Sequence, residues 1–377
     1  MTTRVALIGA GGHGLSHRRV LQRLLDAGRI EVAGLCDRQP VPAHPDAPLD
    51  GVPFFTDHTE LLSAARPDVV VICTPPHTHL AIALDVFAAG ADLLLEKPPV
   101  MSLAEHERLA EAAARTGRIL QIGFQALGSA ALAELCAAEP PGDVGVTGAW
   151  WRPDTYYQRA PWAGKRLVDG RPVLDGALVN PLAHAVMQSL AVAAAAGAGE
   201  PVLLEAERYR TRDIEVDDTA FARITFAGGL RMMAAVTLAG EDFIAGEVIV
   251  TGSAGRAVLE YPTDTLDLAG TAGPPGRVDL LENLVAHRRD RAVGLVVPLE
   301  RTAGFTAVVQ ALTGPGAAEP ALIDEPFVAP VGAGPERVQV IPGINAVLRE
   351  AAETLKLPSE SGVAWAVPAH PVRVPIA

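Results

Sequence analysis

A run of aliphatic residues, Val5-Ala6-Leu7-Ile8, stops at Gly9-Ala10-Gly11-Gly12-His13-Gly14, and a helical pattern follows from His13 to about Ala27. Few local sequences narrow the choice of fold as far. A strand that breaks on glycines and passes at once into a helix belongs to a βαβ unit of a parallel sheet. Gly9 serves the tight turn, Gly11 the close approach of a diphosphate to the main chain, and Gly14 the packing of helix against strand. Gly12 and His13 complete a candidate dinucleotide turn whose N–H groups face an anion at the helix start.

The next elements agree with that reading. A second strand, Ile30 to Cys36, ends in Asp37, where the acid that binds an adenosine ribose belongs. Asp37 favours NAD by binding the ribose diol and repelling a 2'-phosphate, whereas the adjacent Arg38 can contact that phosphate, so NAD is expected and NADP stays possible. A helix over Asp57 to Ala65 and a strand, Val69 to Cys73, lead to Thr74-Pro75-Pro76-His77-Thr78-His79. Prolines at a strand end fix the turn, so Thr74, Pro75 and Pro76 are expected under the nicotinamide ring. His77 reads as helix-start polarity, and histidines two apart do not share a helical face, so no metal site is expected there.

Asp92 to Leu95 then runs into Glu96-Lys97-Pro98-Pro99. The strand puts a cation at the carboxyl edge of the sheet, where α/β proteins bind ligands. Lysine occurs only at positions 97, 165 and 356. In a chain that otherwise relies on arginine, a lysine at this edge points to an ammonium whose proton can be moved. Ser102 and Glu105 form a capping box for a helix through Thr116, and a strand from Ile119 to Phe124 completes a six-stranded, doubly wound sheet.

At 377 residues the chain is long for one core, and two domains are expected, 1–125 and 126–377. A formal charge of -13 with no basic tract argues against a nucleic-acid partner. Cys36, Cys73 and Cys136 sit in apolar runs without disulfide or zinc spacing, and read as buried, reduced thiols. No secretory leader and no run of transmembrane length is seen, so the expected setting is cytoplasmic, without a membrane partner.

The order of glycine turn, Asp37, Thr74-Pro75-Pro76 with His79, and Glu96-Lys97-Pro98 resembles the Gfo/Idh/MocA family of NAD(P)-dependent oxidoreductases. The likeness is specific over residues 4 to about 125 and looser beyond. It implies a Rossmann domain followed by an α/β domain with a large, open, mostly antiparallel sheet. It further implies that Lys97 is catalytic, that Pro98 sets its geometry, a cis peptide being one way to do so, and that Glu96 and His79 belong to the cofactor-binding set.

Beyond Phe124 a helix at Ser129 to about Ala138 and a strand at Val144 to Trp151 precede an aperiodic stretch, Trp151 to Trp162. Arg152, Tyr156, Tyr157 and Trp162 have the ring faces and forked donors that suit a polyhydroxylated ligand, and they equally suit a loop packed over the sheet. A long alanine-rich helix is expected to open around Asn180 and His184. In the family an aspartate precedes a histidine by four residues; His184 matches, but Asn180 replaces the acid. Asparagine orients a hydroxyl but takes no proton.

Pro140-Pro141-Gly142 reads as the turn before the Val144 strand, and from Val202 to Leu268 alternating runs separated by Gly228-Gly229, Gly240, Gly246 and Ser253-Ala254-Gly255 predict a meander of four or five strands. The helix after Asn180 would cover one face and a partner subunit the other, in a homodimer or homotetramer. Asp217 and Asp218 read as strand-start polarity. Helices are expected near Asp279–Arg289, Thr302–Leu312 and Ile344–Leu355. The chain is therefore expected to pass hydride between a nicotinamide and a secondary alcohol or ketone of a sugar or cyclitol, with Lys97 and His184 handling the proton. Two alternatives remain: a redox-neutral NAD-dependent glycosidase or eliminase, and a dinucleotide-responsive regulator without turnover.

Overall fold

The computed structural model describes residues 2–138, 142–252, 255–314 and 316–376. The expected turn residues Pro140, Pro141, Ser253 and Ala254 lie outside them. The chain forms two compact units, Met1–Phe124 with Asp279–Thr302, and Gln125–Val278 with Ala303–Ala377. The second crossing, which returns residues 279–302 to the first unit, is not part of a simple division at 125/126.

In the first unit β1 (Thr3–Ile8), β2 (Ile30–Cys36), β3 (Phe54–Phe55), β4 (Val69–Ile72), β5 (Asp92–Leu95) and β6 (Leu120–Ile122) form one sheet. Its order is β3-β2-β1-β4-β5-β6, and every pairing is parallel. The connections include α1 (Gly14–Asp26), α2 (His58–Ala65), α3 (His79–Ala88) and α4 (Leu103–Thr116). Val5, Leu7, Val69, Val70, Val71, Ile72, Leu93 and Leu95 have no or almost no exposure, because helices cover both faces of a parallel sheet. Asp57 and Ser102 cap α2 and α4, and Glu105 reaches back to the Met101 N–H at 3.1 Å.

The returning segment carries the helix Leu280–Arg289 (α7 in chain order), capped by Asp279. Arg288 pairs with Asp92 and Asp68, Arg23 bonds Asp279 and Glu282, and Gln121 bonds the Leu280 carbonyl and the Val297 N–H. These polar ties account for its docking on the first sheet.

The second unit contains α5 (Ala130–Ala137), β7 (Asp143–Trp151), a small hairpin of β8 (Leu167–Val168) and β9 (Arg171–Pro172), and α6 (Ala183–Ala195). Then follow β10 (Pro201–Arg210), β11 (Thr219–Phe226), β12 (Arg231–Thr237), β13 (Ala239–Gly252), β14 (Gly255–Glu260), β15 (Thr265–Leu268) and β16 (Thr271–Ala272). After the first unit's excursion come α8 (Ala303–Thr313), β17 (Ala321–Leu322), a hairpin of β18 (Ala329–Val331) and β19 (Val338–Val340), α9 (Ile344–Thr354) and β20 (His370–Arg373).

A ten-stranded sheet runs β16-β15-β14-β13-β7-β12-β11-β10-β17, with β20 also on β10. It departs from the expected meander in two ways. Six strands rather than four or five lie between residues 201 and 268, and β7 is inserted between β12 and β13, parallel to β12. The one residue between β12 and β13 carries the chain across the end of β7, and register shifts in β13 at Ile244 absorb the bend.

In the middle of this sheet both faces carry a helix of the same chain, so the face opposite α6 is not left wholly open as expected. Side chains alternate along β7, so Gly148 lies under Leu182 just before α6, while Gly145 lies under the Ala352 carbonyl of α9. Phe221, Tyr209, Ile344, Leu348, Ala351, Leu355 and Leu357 form a buried cluster on the α9 side, with Trp365 packed against it. Arg223 adds ion pairs to Glu205 and Glu360 there. The apolar face of α9 was legible in the sequence; its destination was not.

Candidate active site

At the end of β1, Gly9 has φ +89°, and a Cβ there would lie 2.3 Å from the Cys73 carbonyl oxygen. A Cβ on Gly14 would meet the Gly9 carbonyl oxygen at 2.0 Å, so strand and helix approach as only glycine permits. The Gly11 N–H donates to Asp37 Oδ2 at 2.9 Å. This hydrogen bond joins the ends of β1 and β2 and holds the carboxylate beside the turn. Gly12 and exposed His13 complete the turn, no acid occupies the first turn of α1, and Arg38 is exposed. The turn and helix start therefore fit a dinucleotide diphosphate and ribose.

Two further turns meet at the carboxyl edge of the same sheet. After β4, Pro75 is followed by a short helical turn, Pro76–Thr78, closed by Thr78 Oγ1 donating to the Pro75 carbonyl at 2.8 Å. After β5, the Lys97–Pro98 peptide is cis. His79 is fully buried between them: Nδ1 lies 2.9 Å from the Pro98 carbonyl oxygen and Nε2 2.8 Å from that of Thr74. The ring thus bridges main-chain carbonyls of the two turns. Burial disfavours its cation and lowers its pKa against those hydrogen bonds.

Glu96 turns inward. Its Oε1 lies 2.9 Å from His17 Nε2 and 3.9 Å from His13 Nε2, and its Oε2 accepts from the Lys97 N–H. Burial opposes ionisation, but the His17 hydrogen bond and charge, with His13 and Lys97, outweigh it and hold the carboxyl at about 2. His13, His17 and Glu96 place three ligand-type atoms within 4.8 Å of one another. The His17–Glu96 distance is that of a hydrogen bond between the ring and the carboxylate. His17 was missed in the sequence, although two histidines four apart share a helix face.

In the second unit α6 begins at Ala183, so Asn180 lies in the turn before the helix and not on its surface as expected. Its Nδ2 donates to Asp175 Oδ1 at 2.6 Å. His184 is buried in the first turn of α6 and stacks on Tyr261, centroids 5.2 Å apart. The turn is held from behind: Asp217 Oδ2 accepts from the Ala177 N–H at 3.0 Å, and a Cβ on Gly176 would meet that carboxylate at 2.7 Å. Asp218 accepts from Thr211 N and Oγ1. Both acids stand immediately before β11, at a strand start as expected, and are buried, where their carboxylates anchor the neighbouring turns.

The stretch from Trp151 to Trp162 contains a short helical turn, Asp154–Gln158. The Tyr156 ring has the Arg159 guanidinium 3.8 Å and the Arg152 guanidinium 5.1 Å from its centroid. Arg159 also lies 4.6 Å from the Trp162 centroid, and Arg212 covers Tyr157 at 4.7 Å. Asp154 binds Arg212 and Arg337. The loop is therefore internally tied, and it converges on Asp175, to which Arg159 donates at 2.9 Å. Asp175 and Arg159 had no periodic signal; their pairing needs the fold.

Residues 3–124 match the model of an oxidoreductase family with an NAD-binding Rossmann fold, Gfo/Idh/MocA. Inositol 2-dehydrogenase 1 of Saccharopolyspora erythraea is 30% identical over 146 residues, 38% of this chain and 43% of that protein. D-glucoside 3-dehydrogenase of Escherichia coli is 29% identical over 150 residues, 39% and 42% of the two chains. The chain thus spans less than half the length of these curated relatives. The WlbA dehydrogenase of Bordetella pertussis, solved with NADH and UDP-GlcNAcA, superposes with a TM-score of 0.65 at 21% identity over 82% of this chain and 94% of that one, a likeness of fold. Residues 3–124 thus match the NAD-binding Rossmann fold of the Gfo/Idh/MocA oxidoreductase family.

Proposed function

We propose that this protein is an NAD-dependent oxidoreductase acting on a secondary alcohol, or the matching ketone, of a sugar, cyclitol or related polyol. The observation that carries the reading is the arrangement of the first sheet's carboxyl edge. There the glycine turn, Asp37 at its side and Lys97 just after β5 belong to one compact unit. The nicotinamide, when bound, supplies the hydride acceptor or donor.

The chain's own residues do the rest. Gly9, Gly11, Gly12, His13 and Gly14 hold the diphosphate, Asp37 the ribose, and Thr74, Pro75 and Pro76 form a floor for the ring. Lys97 takes or returns the hydroxyl proton. Asn180 and His184 bind the substrate, and the tied loop with Arg152, Tyr156, Tyr157 and Trp162 borders them. Names of the relatives support this substrate class, one acting on inositol and one on glucosides.

Among the described residues no helix is long and apolar enough to cross a membrane. A cytoplasmic setting and a homodimer or homotetramer form part of the proposal. With α9 on the middle of the large sheet, assembly has its outer strands β14 to β16 to use. A screen of sugars and cyclitols, following absorbance of reduced nicotinamide, tests the reading. Product formed without net cofactor reduction would favour the eliminase alternative, and cofactor binding without any turnover the regulator.

A further inference from the structure

Position 180 lacks the carboxylate expected there, and the structure puts one directly behind it. The Asp175 side chain has no exposure. It accepts four contacts: Arg159 Nη2 on Oδ1 and Oδ2 at 2.9 Å each, the Gly164 N–H on Oδ2 at 2.9 Å, and Asn180 Nδ2 on Oδ1 at 2.6 Å. Every one of these partners is a donor, so the carboxylate is saturated as an acceptor. An asparagine amide has two ends that differ only in what they offer, and the network around it decides which end points where. Facing a carboxylate, Asn180 must turn its NH2 toward Asp175, and its carbonyl oxygen is the atom carried on the other side.

We propose that Asp175 is a positioning residue that locks the Asn180 amide in one orientation, so that position 180 presents a neutral hydrogen-bond acceptor to a substrate hydroxyl. This rests on the assignment of Asn180 to the substrate site made above. The hydrogen bond to an anion polarises the amide and makes its oxygen a stronger acceptor. The negative charge stays buried against Arg159, one residue removed from the substrate. The site therefore accepts a hydroxyl without placing a full anion beside it, and it tolerates a polyol that itself carries a negative group better than an aspartate at 180 would.

The proposal separates three variants. In Asp175→Asn the oxygen of residue 175 stays with the Gly164 N–H and Arg159, and its new NH2 faces Asn180, which must flip and present a donor. The value of kcat/KM for the best polyol should fall at least tenfold, mainly through KM, with NAD affinity unchanged. In the exchange Asp175→Asn with Asn180→Asp, the new amide donates to the new carboxylate, an acceptor is restored at 180, and most of the loss should be recovered. Asn180→Asp alone sets two carboxylates against each other, and they must share a proton. Its activity should be low and should rise as pH falls.

Orientation can also be read without turnover. The chain has three asparagines, 180, 283 and 345. Asparagine-selective 15N labelling therefore gives three side-chain amide pairs, with that of residue 180 identified by its loss in Asn180→Asp. The Asn180 pair should be shifted and protected in the parent protein and should move in Asp175→Asn. An unmoved pair, or kcat/KM within twofold of the parent in Asp175→Asn, overturns the proposal. So does an exchange variant no better than Asp175→Asn. Should Asp175→Asn not fold, a pH profile of Asn180→Asp identical to the parent's overturns it instead. If the parent turns over no polyol, the functional assignment fails, and the amide spectrum still decides the positioning role.

Discussion

His17 and Glu96 meet at 2.9 Å, 79 positions apart in sequence, and fix the residue that precedes Lys97. The consequence is a dependence of stability on pH. The Glu96 carboxyl, near 4.5 in the unfolded chain, is held at about 2 when folded, so the folded state favours the ionised form. Its contribution is present above pH 4.5 and is lost as pH falls toward 2, an effect on the order of 3 kcal/mol for a group this buried. Denaturant unfolding of the parent and of Glu96→Gln should show a stability difference that shrinks across that window. A difference constant from pH 6 to pH 2.5 would mean that the carboxylate is not stabilised by its neighbours.

The Gly11–Asp37 contact leads to the cofactor. With the carboxylate held at the turn, NAD should bind at least tenfold tighter than NADP, about 1.4 kcal/mol. Asp37→Ala should narrow the gap and also loosen the turn, because the Gly11 N–H loses its acceptor. Titration of both nucleotides into the two proteins checks this. Equal or tighter NADP binding by the parent would mean that Arg38 dominates.

Much of the first unit was legible because its signals are local. Strands Val69–Ile72 and Asp92–Leu95, the glycine turn, the Ser102 cap and Lys97 each follow from a few neighbouring residues, and the strands are aliphatic because both their faces are covered. Contacts distant in sequence were not legible. His17 reaches Glu96, Arg288 reaches Asp92, and Asp175 reaches Asn180 only through the fold. The two-residue strand Phe54–Phe55 is too short to show a period. Asn180 illustrates a different failure: spacing placed it on a helix, but the Asp217 anchor at Ala177 keeps residues before Ala183 in a turn.

The covered sheet face makes its own prediction. A methyl group on Gly145 would lie 2.2 Å from the Ala352 carbonyl oxygen, a backbone atom that cannot step aside. Gly145→Ala should push α9 off β7 and destabilise the protein by about 1–3 kcal/mol, while Gly12→Ala, at positive φ but with nothing within 4 Å, would strain only its own turn. If α9 is what keeps that face from other copies, light scattering should show more association in Gly145→Ala than in the parent at equal concentration. An unchanged melting temperature together with unchanged particle mass would show that α9 does not pack there in solution.

Lys97 is where the fold of the first unit meets the proposed chemistry. It follows β5 at the ligand-binding edge, its N–H is held by Glu96, and the carbonyl of the next residue, Pro98, is tied to the Thr74 turn through His79. Replacing it with methionine keeps the stem and removes the ammonium. NAD should still bind, while the step that moves the hydroxyl proton should slow by roughly 100- to 10,000-fold. His184→Ala should cost less if Lys97 is the principal acid or base. The two can be told apart by pH: a profile limb that disappears in Lys97→Met but persists in His184→Ala belongs to Lys97, which single-turnover rates across pH 6 to 10 would show. Full turnover by Lys97→Met on a substrate that the parent oxidises would remove the lysine from the chemistry and leave the Glu96-Lys97-Pro98-Pro99 turn as architecture.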